Sequence, residues 1–308
     1  MIVKRNIQYP GFGNCLEIAN DYVRVVVTLD FGPRIIRYSF ADGENIFYED
    51  PNKSFSSKGK PFDERYGEGS VWYIYGGHRL WMAPEKYPQT YYPDNDPVNF
   101  QLIPSGAIFT APVQRANQYG YTLEVSLCED SSEVRLTHQV TNYGESPVTL
   151  APWAITVLSP GGTEVVPQPD CDTFTAPNRQ IALWPSARMT DRRLTWLDRY
   201  MILRQDRDAK RSFKFGINSQ HGFAMYFNHG DLFVKRFEVL PQGQYPDGGM
   251  SFETFTNGLF LEMESLGELK MLMPGENTCH TESWQLFKAE PPELTDEVLD
   301  SVAAKYIT

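Results

Sequence analysis

The stretch SFETFTNGLFLEMESLGELKMLMPGENTCHTESWQLF, residues 251–287, carries the most informative pattern in the chain. Its segments SFETFTNGLFLEMESL and TESWQLF are typical of strands. Because side chains on a strand point alternately to opposite faces, Glu262 and Glu264 share one face, and Leu261 and Met263 share the other. Two carboxylates on one face are costly when buried, so this face is either exposed to solvent or part of a site.

The same pattern extends through most of the chain. Further strands are predicted at CLEIA, YVRVVVTLDF, PRIIRYSF, NIFYED, NFQLI, AIFTA, YTLEVSL, EVRLTHQVTN, VTLAPWAITVL, LTWLDRYMILR, SFKFGIN, GFAMYFN and LFVKRFEVL. This spacing predicts an all-β fold, a large antiparallel β-sandwich of about 15–20 strands. No repeat, linker or shift in composition interrupts it, so we expect a single domain spanning residues 1–308.

Two helices are predicted. At the C-terminus, Thr295 can cap a helix, and Asp296 and Glu297 suit its positive N-terminal end. Its apolar residues fall on one face, as expected for a helix that packs on a core: Val298, Leu299, Val302 and Tyr306. A second, weaker helical pattern lies near residues 190–200.

The connections between strands are predicted from their turn residues. Asn20-Asp21, a turn pair, separates CLEIA from YVRVVVTLDF. Ala-Asp-Gly between PRIIRYSF and NIFYED predicts a hairpin. Residues 50–70 and 83–98 lack a regular pattern. Long loops of this kind often cover a site.

Charge limits the classes of partner. Lys and Arg together number 28 and Asp and Glu number 39, which gives a formal net charge of -11. A field of this sign repels a phosphate backbone, so we expect no nucleic-acid partner. A neutral small molecule such as a sugar is not penalised, and the aromatic content of 14% suits one without proving it.

Other classes are excluded by what the sequence lacks. It has no apolar run of about 18 residues, so we expect no membrane span and no membrane partner. The start, MIVKRNIQYPG, has no apolar segment typical of a signal peptide. Its cysteines, Cys15, Cys128, Cys171 and Cys279, form no CxxC pair. We therefore expect reduced thiols in a cytoplasmic protein.

A second informative stretch is YIYGGHRLWMAPE, residues 73–85. Gly76-Gly77 can adopt backbone angles that other residues avoid. His78 can carry a proton near neutral pH, Arg79 offers a fixed set of donors, and Trp81 offers a flat apolar face. This set suits a sugar, but the segment taken alone favours a tight turn, a hydrogen-bonded histidine and a core tryptophan.

Several of these segments resemble the galactose mutarotase (aldose 1-epimerase) superfamily. FETFTNGLFLEMES is similar to the family's aromatic strand and Leu-Glu segment, and MLMPGENTCHTESWQLF is similar to its Leu-x-Pro-Gly-Glu segment and closing strand. YVRVVVTLDFGPRIIRYSF resembles its first hairpin. GGHRLWMAPE, PWAITVLSPGGT and YPDGG resemble a divergent, uncharacterised branch. The resemblance implies a β-supersandwich and covers most of the chain.

The resemblance also implies a reaction, the interconversion of sugar anomers. A base takes the proton of the C1 hydroxyl and an acid protonates the ring oxygen, with no cofactor and no metal. By position, Glu262 matches the family's catalytic glutamate. The family's acid is a histidine in the segment that corresponds to residues 148–158, which here contains none; Trp153 and Thr156 stand near the expected place. We therefore expect His78 to supply the acid.

Further residues are candidates for binding the sugar. Arg79 resembles the family's substrate-binding arginine, and Lys214 matches a sugar-binding position weakly. Trp81, Trp153 and Asn95, which lies in the polar loop 83–98, complete the expected substrate-binding set. The segment Asp94–Asp96 lacks EF-hand spacing, and no histidine–acid spacing indicates zinc.

The remaining histidines are assigned lesser roles. We expect a structural role for His138 and a solvated turn for His221 and His229, and His280 could lie near the site.

Two other functions remain open. One is a carbohydrate-binding protein without catalysis, which the missing histidine favours. The other is a glycoside hydrolase or lyase, which needs two flanking carboxylates, such as Glu262 with Glu85, Glu253 or Glu264. The charges of Arg79, Lys214 and Arg34 leave room for an acidic or phosphorylated sugar.

Overall fold

The computed structural model describes residues 1–307, and strands make up most of its regular structure. The first half of the chain contains, in order, β1 (Val3–Tyr9), β2 (Gly13–Ala19), β3 (Val23–Thr28), β4 (Ile35–Phe40), β5 (Ser56–Lys58), α1 (Lys60–Tyr66), β6 (Val71–Tyr73), β7 (Gly77–Ala83), β8 (Asn99–Ile103), β9 (Gly106–Thr110), β10 (Tyr119–Leu127), β11 (Val134–Asn142) and β12 (Val148–Leu158).

The second half continues the pattern and ends in a helix. It contains β13 (Thr163–Pro167), β14 (Ile181–Leu183), β15 (Leu194–Trp196), β16 (Tyr200–Arg204), β17 (Phe213–Ile217), β18 (Phe223–Asn228), β19 (Asp231–Phe237), α2 (Pro246–Gly249), β20 (Phe252–Thr256), β21 (Leu261–Leu266), β22 (Lys270–Leu272), β23 (Asn277–Lys288) and α3 (Asp296–Tyr306). None of the helices in residues 1–307 is long and apolar enough to cross a membrane.

The strands form two large antiparallel sheets, as the alternation predicts. The larger sheet has 11 strands in the order β1-β2-β3-β4-β7-β12-β21-β20-β17-β14, with β22 beside β12. The other has 10 strands in the order β15-β16-β13-β18-β19-β23-β11-β10-β9-β8. β5 and β6 form a separate two-stranded ribbon. The prediction of a large antiparallel β-sandwich is confirmed.

The main hydrophobic core fills the space between the two large sheets. Leu261 and Met263 of β21 lie in it beside Phe233 and Trp284 of the other sheet. The rings of Phe233 and Trp284 are 5.9 Å apart, centre to centre. A second apolar cluster covers the opposite face of the larger sheet and includes Trp72, Trp81 and Trp153. The larger sheet is therefore packed on both faces.

The C-terminal helix is confirmed as α3. Leu299 is buried, and Val302 and Tyr306 pack beside it against the smaller sheet. Thr295 is the N-cap residue, but its side chain makes no capping hydrogen bond.

Three local predictions are wrong. No helix forms at 190–200, because LTW pairs as β15 with β16, Leu194 opposite Leu203. NIFYED does not form a regular hairpin ladder with β4. Instead, the Asn45 side-chain oxygen accepts hydrogen bonds from the backbone N–H groups of Tyr38 and Phe47. Beyond it, Phe47 and Glu49 form isolated bridges to Leu158 and Gly76. The stretch 50–70 contains β5 and α1, which the fully buried Phe62 anchors.

Candidate functional site

A cavity of about 200 Å³ lies on the face of the larger sheet that points away from the main core. Strands β7, β12, β17, β20 and β21 form its floor. Its sides are formed by segments before β7 and around residue 185. The residues that line it are Phe55, Trp72, Ile74, Arg79, Trp81, Glu85, Tyr91, Trp153, Ile155, Trp184, Ser186, Lys214, Phe255, Phe260, Glu262 and Glu264.

Strand register explains why these side chains meet. Ile155 of β12 lies opposite Arg79 of β7 on one side and opposite Glu264 of β21 on the other. In the same way, Phe255 of β20 lies between Glu262 of β21 and Lys214 of β17. Paired residues share a face of a sheet, so the alternation of five strands delivers one set of side chains to the cavity. The prediction that Glu262 and Glu264 share a face is confirmed.

The glycine pair before β7 sets the direction of this strand. Gly76 and Gly77 have φ angles of 87° and 65°. A Cβ on Gly77 would lie 2.2 Å from the carbonyl oxygen of Ile35, and one on Gly76 would lie 2.1 Å from that of Tyr48. Both positions therefore require glycine for backbone angle and for close approach. From Gly77 onward the strand alternates, and Arg79 and Trp81 face the cavity.

His78 faces the other way, so the expectation that it meets a ligand beside Arg79 is wrong. It is fully buried between the sheets. Its Nδ1 is 2.8 Å from Thr156 Oγ1 and its Nε2 is 2.9 Å from His138 Nε2. Burial, together with the neighbouring charges, lowers the pKa of His78 well below its ordinary value. The structure does not bring His78 and Glu262 together, because adjacent residues of a strand point to opposite faces.

Glu262 is a buried carboxylate of the cavity with a raised pKa. It is 8% exposed, and its Oε1 accepts a hydrogen bond of 3.1 Å from Arg79 Nη2. Burial raises the pKa of Glu262 to about 7; Arg79 and Lys214 oppose this shift, and Glu264 adds to it. A carboxyl group with this pKa can take and return a proton near neutral pH.

Arg79 is enclosed by aromatic rings. Its guanidinium carbon is 4.5 Å from the centre of the Trp81 ring and 5.5 Å from that of Trp72. Within residues 1–307, its Nε and Nη1 have no hydrogen-bond partner. Packed in this way, the guanidinium is a fixed positive charge that orients Glu262.

Lys214 lies among carboxylates and tryptophans. Its Nζ is 2.7 Å from Glu253 Oε2 and 2.8 Å from Glu264 Oε2, and it lies 4.6 Å from the ring centres of Trp153 and of Trp184. Burial alone would lower the pKa of Lys214, but Glu264 and Glu253 outweigh burial and raise it above its ordinary value. Lys214 is therefore a cation at neutral pH.

Trp153 completes the inner wall. Its Nε1 donates a hydrogen bond of 2.9 Å to Glu264 Oε2, the oxygen that also accepts from Lys214. Thr156, three residues on, faces the main core with His78. The segment 148–158 thus brings a tryptophan, and no titratable group, to the cavity.

Asn95 does not line the cavity. It is exposed, its Oδ1 accepts a hydrogen bond of 2.7 Å from the Tyr75 hydroxyl, and its Nδ2 donates to the Val71 carbonyl at 2.8 Å. It thereby ties loop 83–98 to the segment that leads into Gly76. Arg34 also lies elsewhere, paired with Asp94 at 2.8 Å.

Several lining residues come from irregular segments, and of these the sequence predictions include only Glu85, as a carboxylate partner of Glu262. The loop 83–98 contributes Glu85 and Tyr91, which are joined by a hydrogen bond of 2.6 Å. Trp184 and Ser186 follow β14. Nothing in the local pattern indicated Tyr91, Trp184 or Ser186, because they lie outside strands and approach the cavity only through the fold. The loop itself does border a cavity, as its length and polarity suggested.

A separate cluster between the sheets is the arrangement nearest to a metal site in residues 1–307. One ligand atom each from His78, His138 and Glu282 lies within 4.8 Å of the others. The Lys235 ammonium already contacts Glu282 Oε1 at 2.8 Å and also donates to Thr156 Oγ1 at 3.0 Å. This built-in cation leaves the carboxylate poorly suited to a metal ion.

Comparison with known proteins gives a match at the level of structure alone. No protein-family model and no curated protein matches the chain. A TPR-domain containing protein from Parabacteroides distasonis ATCC 8503 aligns with a TM-score of 0.63 and 14% identity, over 91% of this chain and 48% of that one. The chain thus spans about half the length of that protein.

Two other solved structures match along their whole length. A candidate aldose 1-epimerase from Escherichia coli K12 has a TM-score of 0.55 and 13% identity, over 94% of this chain and 100% of that one. A galactose mutarotase-like protein from Lactobacillus casei ATCC 334 has a TM-score of 0.54 and 10% identity, over 89% of this chain and 100% of that one. At these identities the similarity concerns the fold. The chain has the galactose mutarotase-like fold.

Proposed function

We propose that the protein is an aldose 1-epimerase-like enzyme that interconverts the anomers of a small sugar. The observation that carries the proposal is Glu262, a buried carboxylate with a pKa of about 7 in a cavity that also holds Arg79 and Lys214. The fold supports it, since the matching structures include a candidate aldose 1-epimerase.

In the proposed reaction, Glu262 takes the proton of the C1 hydroxyl as the bond between C1 and the ring oxygen breaks. C1 becomes a carbonyl, and the ring oxygen takes a proton from Lys214. After rotation at C1, the ring closes and both protons return, so the net change is the configuration of C1. Lys214 is protonated at neutral pH, and its ammonium group can therefore stabilise and protonate the developing alkoxide, which is a stronger base than an amine.

The role given to Lys214 replaces the one expected for His78. Lys214 shares the cavity wall with Glu262, whereas His78 lies on the far side of the sheet. Arg79 then acts on Glu262, by keeping it oriented and by favouring its ionised form.

The test is the rate of anomer exchange measured by NMR on a panel of aldoses. Glu262→Gln should slow the catalysed rate by roughly 10²–10⁴-fold while sugar binding persists. Glu145→Gln is the matched control, because Glu145 is an exposed carboxylate outside the cavity, and it should keep the parent rate. Equal rates in parent and Glu262→Gln would refute the proposal.

A second candidate function is sugar binding without catalysis. It is favoured by one observation, that residues 148–158 bring no histidine to the cavity and that His78 does not replace it. This function predicts that a sugar raises the melting temperature by mass action and leaves the exchange rate unchanged.

Hydrolysis by a pair of carboxylates has less support. Glu264 Oε2 already accepts hydrogen bonds from Trp153 and Lys214, and Glu253 does not line the cavity. Glu85, at the exposed rim, is the remaining partner for Glu262.

A further inference from the structure

A second, smaller cavity is lined by residues of both large sheets. Its volume is about 20 Å³, and it shares no lining residue with the cavity that holds Glu262. Leu80 lines it from β7 of the larger sheet, and His138 lines it from β11 of the smaller sheet. Arg34 and Asp94 complete the polar part of the wall from irregular segments.

Two polar atoms of this wall lack partners. Within residues 1–307, Arg34 Nε and His138 Nδ1 are buried and have no hydrogen-bond partner. The rest of the Arg34 guanidinium is paired with Asp94: Nη1 is 2.8 Å from Oδ2, and Nη2 donates to Oδ1 at 3.0 Å. Because a buried polar group without a partner is costly, folded proteins nearly always supply one, either from the chain or as an ordered water. We therefore expect both atoms to have a partner inside the cavity.

Hydrogen-bond directions decide whether His138 Nδ1 is a donor. Lys235 Nζ donates to Thr156 Oγ1 at 3.0 Å, and the same hydroxyl is 2.8 Å from His78 Nδ1. Since the ammonium can only donate, the hydroxyl proton of Thr156 is free to be donated to His78 Nδ1. A neutral imidazole has one N–H, which for His78 is then at Nε2. Glu282 Oε2, at 3.8 Å from His78 Nε2, favours a proton on that nitrogen.

The same reasoning extends to His138. Its Nε2 is 2.9 Å from His78 Nε2 and accepts the proton there, so His138 carries its own proton at Nδ1. Burial lowers the pKa of His138 to about 3, so the ring is neutral at pH 7 and has this one proton. The cavity wall thus presents two N–H donors, His138 Nδ1 and Arg34 Nε.

Size and charge define the molecule that these donors can bind. A water molecule needs a cavity of roughly 10–15 Å³ and about two to four polar partners, so a cavity of about 20 Å³ accommodates one. Water can accept from both N–H groups and donate to Asp94, whose carboxylate oxygens each have more than one lone pair. A cation would face two N–H donors, and an anion would face the Asp94 carboxylate.

We propose that this cavity is the binding site of one ordered water molecule, which joins His138 to Arg34 and Asp94. The water completes a hydrogen-bonded chain that begins at Lys235 and passes through Thr156 and the histidine pair.

The chain connects two parts of the structure around Glu262. Asp94 belongs to loop 83–98, which borders the cavity of Glu262. Lys235 donates to backbone carbonyls of β12 and β21, two strands of the floor of that cavity. No sugar takes part in the chain, so the site does not depend on the proposed function.

A crystal structure at a resolution that shows ordered water tests the site. We expect one peak of electron density at full occupancy within about 2.7–3.2 Å of both His138 Nδ1 and Arg34 Nε. A second crystal, soaked in sodium bromide, shows whether the peak is a halide, because bromide scatters anomalously. The absence of a peak would overturn the proposal, and so would an anomalous peak at this position.

NMR of the imidazole nitrogens at pH 7 tests the chain. We expect the proton at Nε2 of His78 and at Nδ1 of His138. His138→Gln removes the His138 signals and so assigns them, whereas the matched control His221→Gln, in an exposed turn, leaves them unchanged. A His138 proton at Nε2 would overturn the proposal, because Nδ1 would then be an acceptor. The crystal experiment needs no variant, so it decides the matter even where His138→Gln fails to fold.

Discussion

At the scale of the residue, the site depends on how burial and charge act on Glu262. Burial favours the neutral acid, whereas Arg79 at 3.1 Å favours the anion. The effect of burial is the larger of the two, so the pKa of Glu262 is raised to about 7. A surface glutamate would be fully ionised at this pH and a poor proton acceptor.

The pH dependence of the rate follows from this balance. A base works when it is ionised, so the exchange rate should rise with pH and reach half its maximum near pH 7. Arg79→Met removes the charge that favours the anion and should move the midpoint to higher pH. The pH–rate profiles of parent and variant measure this shift, and a midpoint near pH 4.5 in the parent would contradict the role of Glu262.

At the scale of the element, β7 depends on its glycine pair. Gly77→Ala places a methyl group 2.2 Å from the Ile35 carbonyl at a φ of 65°. Gly69→Ala is the matched control, since its φ is 80° but nothing lies within 4 Å of the added atom. Each substitution costs about 1–3 kcal/mol of backbone strain, and the clash adds to this cost in Gly77→Ala.

Urea unfolding of both variants measures the difference. Gly77→Ala should have the lower free energy of unfolding and should also lose activity, because β7 carries Arg79 and Trp81. Equal destabilisation by the two variants would show that close packing at Gly77 is unimportant.

The elements also show what a sequence can predict. Strand alternation is local, so it correctly placed Glu262 with Glu264. The same rule places His78 and Arg79, which are adjacent in β7, on opposite faces of the sheet. The expectation that both face a ligand was inconsistent with this rule. Trp184 and Tyr91 reach the cavity from irregular segments. After β4, hydrogen bonds of the Asn45 side chain take the place of the backbone hydrogen bonds of a hairpin. Such long-range or side-chain arrangements leave no periodic pattern.

At the scale of the whole molecule, a polar cluster joins the two sheets behind the cavity. Lys235 of β19 donates hydrogen bonds to the carbonyls of Ala154 and Met263 in the larger sheet and pairs with Glu282 of its own sheet. Each of these carbonyls belongs to a strand that contributes side chains to the cavity floor. The cluster therefore fixes β12 and β21, two strands of the cavity floor, from the side that faces the main core.

Breaking this pair should be costly. Lys235→Met leaves Glu282 buried without its partner, and we expect a loss of about 3–5 kcal/mol in the free energy of unfolding. The double variant with Glu282→Gln should recover part of the loss, because no unpaired charge remains. Urea unfolding measures both, and a double variant less stable than the single one would contradict this account.

Acid should also destabilise the fold through its buried histidines. Burial lowers the pKa of His138 to about 3 and of His280 to about 4, whereas both titrate near 6.5 when unfolded. Below pH 6.5 the unfolded chain therefore binds more protons, and stability falls as the pH falls. The slope should be about 1.4 kcal/mol per pH unit for each histidine. His280→Gln should lessen it in urea unfolding between pH 7 and 5, unlike His221→Gln in an exposed turn.

The most direct test of the central claim is saturation-transfer NMR between the two anomeric protons of one sugar that binds, with parent protein and with Glu262→Gln. The account predicts rapid transfer with the parent at pH 8, and transfer at the uncatalysed rate with Glu262→Gln although the sugar still binds. Transfer at the uncatalysed rate with the parent, or equally fast transfer with both proteins, would contradict it.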